Sequence, residues 1–141
     1  MIIFIDDEKW GIEGYLDRFD QKKIKDSRYE NKHYFKPKDA WPFLKANAGK
    51  IDLIILDIAL DYGDGNILNE LDGGIQFLKE IVNDGHYKET PILIYTIRPK
   101  DKIERDSGLI IDRGKNIEYL NRDSKDEEFY QRVERILSKR C

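Results

Sequence analysis

Acidic and hydroxyl residues stand at the ends of three apolar runs. Asp6-Asp7 follows Ile2-Ile3-Phe4-Ile5, Asp57 follows Ile51-Asp52-Leu53-Ile54-Ile55-Leu56, and Thr96 follows Pro91-Ile92-Leu93-Ile94-Tyr95. Short β-branched runs of this kind read as buried strands, and helical spacing between them implies a parallel sheet. In a parallel sheet every carboxyl end points to one edge, where ligands bind. The carboxylates and the hydroxyl therefore converge although they lie far apart in sequence. Like charges held that close repel unless a cation or a proton neutralises them. A hard divalent ion such as Mg²⁺ suits such a site, and phosphoryl chemistry is what it serves.

The elements that position these residues follow from the remaining pattern. After the first strand, Ile12, Tyr15, Leu16 and Phe19 mark one apolar helical stripe. A second strand is expected at 33–36, ended by Pro37, and then a helix with Ala40, Phe43 and Leu44 on one face. The stretch from Ala59 to Asp72 holds Asp61, Gly63, Asp64, Gly65 and Asn66, which is loop chemistry. Its glycines and acids predict a mobile loop that governs access to the site. Beyond Gly73-Gly74, Ile75, Leu78 and Val82 resume helical spacing. Residues 100–113 read as a helix with Ile103 and Ile110 inside. A fifth strand is expected at 117–120, and a last helix carries Phe129, Val133, Ile136 and Leu137. The pattern is (βα)₅, an α/β doubly wound sandwich with a five-stranded parallel sheet of order 2-1-3-4-5.

Bulk properties narrow the function classes. A chain of 141 residues is expected to form a single domain, 1–141, with a real core. The 25 basic and 28 acidic residues leave a formal charge of −3, which gives no electrostatic case for nucleic-acid binding. No apolar run approaches the about 18 residues of a membrane span, and with Met1 leading straight into a strand no signal peptide is expected. Cys141 is the only cysteine, so a reducing, cytoplasmic setting is expected.

Several other readings of the same residues can be weighed. Asp6-Asp7 at a strand end can simply cap the next helix. Thr96 suits a strand end on propensity alone, Tyr119 can be a packed aromatic, and Arg122 can be a surface cation. Asp61 to Asn66 fails as a calcium loop, because the third and fifth ligand positions would be glycines. His33 and His86 lack zinc-site spacing. No glycine-rich phosphate loop follows the first strand, Asp57-Ile58-Ala59 lacks the Asp-x-Asp of haloacid-dehalogenase-like phosphatases, and no Gly-x-Ser-x-Gly elbow exists.

With Ile3-Phe4-Ile5-Asp6-Asp7-Glu8, Asp57, Leu71-Asp72-Gly73-Gly74-Ile75, Ile94-Tyr95-Thr96 and Tyr119-Leu120-Asn121-Arg122 in this order, the chain resembles the receiver domains of two-component response regulators. The resemblance covers almost the whole length. It implies that Asp57 accepts a phosphoryl group from a histidine kinase or phosphotransfer protein, in a Mg²⁺-dependent reaction. It further implies that Asp7, Asp57 and the backbone carbonyl of Ala59 hold the ion, with Asp6 in or just behind the set. Thr96 and Arg122 would contact the phosphoryl group, and Tyr119 takes the place of the family's switch aromatic. With no residues left for an output domain, a stand-alone receiver is expected, acting through a downstream protein or a homodimer. The surface implied is the face of the 100–113 helix, the fifth strand and the last helix, with Arg113 and Lys115 beside Tyr119.

Three positions depart from the family pattern. The family has Lys followed by Pro where this chain has Arg122-Asp123, and Arg is a planar fork rather than a point donor. Ile97 is bulky where a small residue is usual after Thr96. The loop between Asp57 and Gly73 is longer than the usual spacing. These departures leave a second reading open, a pseudo-receiver that uses the same fold as an unphosphorylated binding module.

Overall fold

The computed structural model describes residues 1–7, 30–65, 72–112 and 116–139. The strands are β1 (Ile2–Ile5), β2 (Asn31–Tyr34), β3 (Leu53–Leu56), β4 (Ile92–Thr96) and β5 (Ile117–Asn121). The helices are α1 (Pro37–Ala46), α2 (Gly73–Asn83), α3 (Lys100–Ser107) and α4 (Asp126–Ser138), with a short 3₁₀ turn at Gly85–Tyr87. The expected helix around Ile12 to Phe19 lies outside the described residues.

All strand pairs are parallel, in the order β2-β1-β3-β4-β5. β1, β3 and β4 are buried on both faces, which is why they read as unbroken apolar runs. Alternation along each strand then sorts the core into two layers. Ile3, Ile5, Ile54 and Leu56 face α1, α2 and α3. Ile2, Phe4, Leu53, Ile55 and Leu93 face Phe129, Val133, Ile136 and Leu137 of α4, the stripe expected from its spacing.

Three boundaries differ from expectation, each for a local reason. β2 lies two residues earlier than expected, at Asn31–Tyr34. Its ladder with β1 runs from Ile2↔Asn31 to Ile5↔Tyr34, and Phe35 and Lys36 already bend toward Pro37 at the start of α1. α3 stops at Ser107, because Gly108 closes it in the left-handed conformation at φ 75°. Ile110 is consequently exposed, and Ile111 is the buried residue instead. β5 extends one residue further than expected, to Asn121, which pairs with Thr96.

The loop after Asp57 is partly built into the fold. Leu60 and Tyr62 are buried, Tyr62 donates its hydroxyl proton to Glu80 Oε2 at 2.6 Å, and Lys38 N–H donates to Tyr62 O. Thus its first half is anchored, against the expectation of a mobile segment. The rest, with Ile67 and Leu68, lies outside the described residues. The two glycines at the start of α2 make this packing possible. A Cβ on Gly73 would overlap the backbone of Leu60 and Tyr62, and one on Gly74 the backbone of Asp57 and Ile58. No helix among the described residues is long and apolar enough to cross a membrane.

Candidate functional site

Register decides which side chains meet. Ile5 pairs with Leu56, and Leu56 with Ile94, so the next residues along, Asp6, Asp57 and Tyr95, stand level at the carboxyl edge. Backbone hydrogen bonds carry the ladder just past the strands. Asp57 N–H donates to Ile5 O at 2.9 Å, Asp6 N–H to Tyr34 O at 3.0 Å, and Arg122 N–H to Thr96 O at 2.9 Å. Parallel pairing thus brings residues separated by more than fifty positions into one crevice.

Carboxylate oxygens of Asp6, Asp7 and Asp57 all lie within 4.8 Å of one another. Asp6 and Asp57 are buried and Asp7 is exposed, so the cluster opens to solvent on the Asp7 side. Asp57 Oδ1 accepts the Ala59 N–H at 3.1 Å, which fixes the carboxylate's orientation. Arg122 reaches over from the end of β5. Its Nη1 lies 2.7 Å from Asp6 Oδ2 and 3.3 Å from Asp57 Oδ2, with its own side chain only 12% exposed. The guanidinium also lies over the Tyr95 ring, 5.5 Å from its centroid. Arg122 is therefore packed against the carboxylate cluster rather than extended into solvent.

Thr96 is fully buried, and its Oγ1 accepts the Arg98 N–H at 3.3 Å. Arg98 is then held from two further directions. Its Nε donates to Asp72 Oδ1 at 2.9 Å, and its carbonyl accepts the Tyr119 hydroxyl at 2.7 Å. Lys102 Nζ shares the same Asp72 carboxylate at 3.3 Å, with Asp106 at 2.9 Å, and these partners hold its ammonium above the usual lysine range. Tyr119 is half-buried, and burial raises its phenol above the ordinary value. Ile97 is 55% exposed.

Four contributors carried no signal as site residues in the sequence. Tyr95 supplies the platform under Arg122, and Asp72 and Arg98 tie the start of α2 to the loop after Thr96. His33 Nε2–H donates to the Asp6 carbonyl at 2.7 Å and holds that turn from the β2 side. Asp61 pairs with Lys36 at 3.4 Å, which offsets its charge. Arg113 and Lys115 lie outside the described residues.

No family model and no curated protein matches this sequence. Solved structures do match, over nearly the whole chain. The signal receiver domain of a signal-transduction histidine kinase from Syntrophus aciditrophicus is 19% identical, with 98% of this chain and 89% of that one covered at a TM-score of 0.68. The phosphorylated cyanobacterial phytochrome response regulator RcpA is 22% identical, covering 96% and 89% at 0.66. The Mn²⁺-bound form of response regulator Rcp1 is 20% identical, covering 97% and 91% at 0.66. The five-stranded parallel sheet, its 2-1-3-4-5 order and these neighbours together show that the chain has the response-regulator receiver fold.

Proposed function

We propose that this chain acts as a receiver in two-component signalling, with Asp57 as the phosphoacceptor for a histidine kinase or phosphotransfer protein. The supporting observation is the meeting of the Asp6, Asp7 and Asp57 carboxylates within 4.8 Å at the carboxyl edge of this fold. That all-oxygen donor set suits Mg²⁺, which Asp7 and Asp57 would hold with the Ala59 carbonyl, Asp6 lying in or just behind the set. Bound there, the ion supplies the positive charge that lets a carboxylate approach a phosphoryl group.

The side chains divide the remaining work. A carboxylate oxygen of Asp57 attacks phosphorus while the P–N bond of the phosphohistidine breaks, and the imidazole leaves with the bonding pair. Ala59 N–H restrains Oδ1. The Thr96 oxygen already accepts from Arg98, so its hydroxyl proton is left to donate to the transferred group. Arg122, paired to Asp57 Oδ2, is placed to take up charge on the phosphoryl oxygens. Output would pass through the α3–β5–α4 face around Tyr119, to a downstream protein or a second copy in the cytoplasm, without nucleic acid or membrane.

One observation favours a second reading. Arg122 already compensates Asp6 and Asp57, as a pseudo-receiver that is never phosphorylated would need. Incubation with acetyl phosphate and Mg²⁺ separates the two. A single phosphoryl adduct in the intact mass, abolished by Asp57→Asn, is the expected result. No adduct under conditions where the metal binds would favour the binding module.

A further inference from the structure

Arg122 makes its shorter contact with Asp6 rather than with Asp57, 2.7 Å against 3.3 Å. All three side chains are about nine-tenths buried or more, so water screens this charge group weakly. The guanidinium is also constrained from behind. Its plane is backed by the Tyr95 ring, Arg122 N–H is bonded to Thr96 O, and the Tyr95 hydroxyl donates to Arg122 O at 3.5 Å. Tyr95 itself is buried against Phe129, with ring centroids 4.6 Å apart. A planar fork on a fixed platform keeps its aim in a way that a flexible ammonium would not.

We infer that Arg122 is a built-in counter-ion of the carboxylate cluster that competes with the divalent cation for Asp6, so that metal binding and release of Arg122 from Asp6 are one event. The inference rests on the reading of the cluster as a divalent-cation site. Its basis is charge. Arg122 brings a positive charge into contact with two of the three clustered carboxylates, so the cluster is partly compensated before any metal arrives. A divalent cation then meets a like charge already in contact with Asp6 and Asp57. Its binding free energy is reduced by whatever is needed to part Arg122 from Asp6. The anchored backbone and the Tyr95 platform keep a released guanidinium close to Asp57 Oδ2. Metal uptake therefore hands Arg122 from Asp6 to the Asp57 side, where a phosphoryl group would arrive.

The test is calorimetric titration of the full chain with MgCl₂ alone, comparing wild type, Arg122→Gln, Asp6→Asn and the double variant. Arg122→Gln is expected to bind Mg²⁺ about tenfold more tightly than wild type, the size of coupling typical between charges in contact. In the Asp6→Asn background the same change should gain less than about threefold, because the contested oxygen is gone. A second measurement needs no variant that could misfold. In arginine-labelled wild type, the NMR signal of the Arg122 guanidinium should shift along the same MgCl₂ isotherm as the heat. Equal affinities in wild type and Arg122→Gln, or equal gains in both backgrounds, or a guanidinium signal that stays fixed while metal binds, would overturn the inference. Absence of Mg²⁺ binding to every variant would instead remove the metal site itself, and the inference with it.

Discussion

Thr96 shows how one buried hydroxyl serves two needs. A fully buried polar group must be hydrogen-bonded to avoid a desolvation penalty, and Thr96 meets that requirement by accepting the Arg98 N–H. The bond uses an oxygen lone pair and leaves the proton available, which a mainchain carbonyl in the same place could not offer. Thr96→Ala should therefore act twice. Leaving the Arg98 N–H without its acceptor is expected to lower stability by about 2 kcal/mol, read by urea denaturation. The aspartyl-phosphate formed with acetyl phosphate should also be less abundant than in wild type, read by intact mass. Thr96→Ser, which restores the hydroxyl, should recover most of the adduct. If Thr96→Ser were no better than Thr96→Ala, the hydroxyl would have no part in the chemistry. Tyr62 poses a simpler problem. Burial and the bond to Glu80 raise its phenol from the ordinary value near 10 to about 12. A raised value in the folded state means that the fold holds the proton more tightly. The stabilisation is full below about pH 10 and is lost as pH climbs toward about 12. The fall in melting temperature over that window should be shallower in Tyr62→Phe.

Between elements, two links join the start of α2 to its surroundings, and magnitudes separate them. Asp72 ties Arg98 and Lys102, but these groups are about one-third exposed, and ion pairs of that kind contribute at most about 1 kcal/mol each. The glycine contact is of another order. Gly73 N–H donates to Leu60 O at 2.6 Å, and Gly74 N–H to Ile58 O at 3.2 Å, so the helix begins against the backbone that follows Asp57. Gly73→Ala must push that backbone aside, with an expected loss of about 3 kcal/mol and a lower denaturation midpoint. Asp72→Ala should cost far less, and equal losses from the two would show that the ionic link dominates. The glycine pair was visible in the sequence as a break before renewed helical spacing. Its purpose was not, since close approach of two backbones leaves no mark on hydropathy. Apolar runs and stripes were the legible part, and they placed β1, β3, β4 and α4 correctly. β2 was misplaced because Asn31-Lys32-His33-Tyr34 is a half-exposed edge without an apolar run. Long-range partners such as Arg98 with Asp72, or Arg122 with Tyr95, have no local spacing to betray them. They depend on register, which only the assembled sheet defines.

At the scale of the molecule, the site and the α3–β5–α4 face share a short, continuous set of contacts. Thr96 Oγ1 accepts from Arg98 N–H, Arg98 O accepts from the Tyr119 hydroxyl, and Tyr119 O accepts from Arg132 of α4 at 3.0 Å. The face continues into a groove where Glu118 is paired with both Arg132 and Arg135, beside Asp112 and Lys139. Among the described helices α3 buries the fewest side chains, Ile103 alone. Contiguity alone does not establish coupling, because a ligand moves an equilibrium only by its differential affinity for two states. A group placed on Asp57 that draws in the Thr96 hydroxyl would make that difference, since the Arg98 N–H and carbonyl move with the loop. On that proposal the Tyr119 hydroxyl would be the joint between site and face. Treatment of wild type with acetyl phosphate and Mg²⁺ should change amide hydrogen exchange in α3 and in β5 together. Tyr119→Phe keeps the ring in place and removes the short bond to Arg98 O with the long one from Asn121 Nδ2, so stability should fall by about 1 kcal/mol. In that variant the response of α3 should persist while that of β5 is largely lost, with adduct yield at Asp57 unchanged. A full response of β5 in Tyr119→Phe would show that the two regions communicate through packing and not through this hydroxyl.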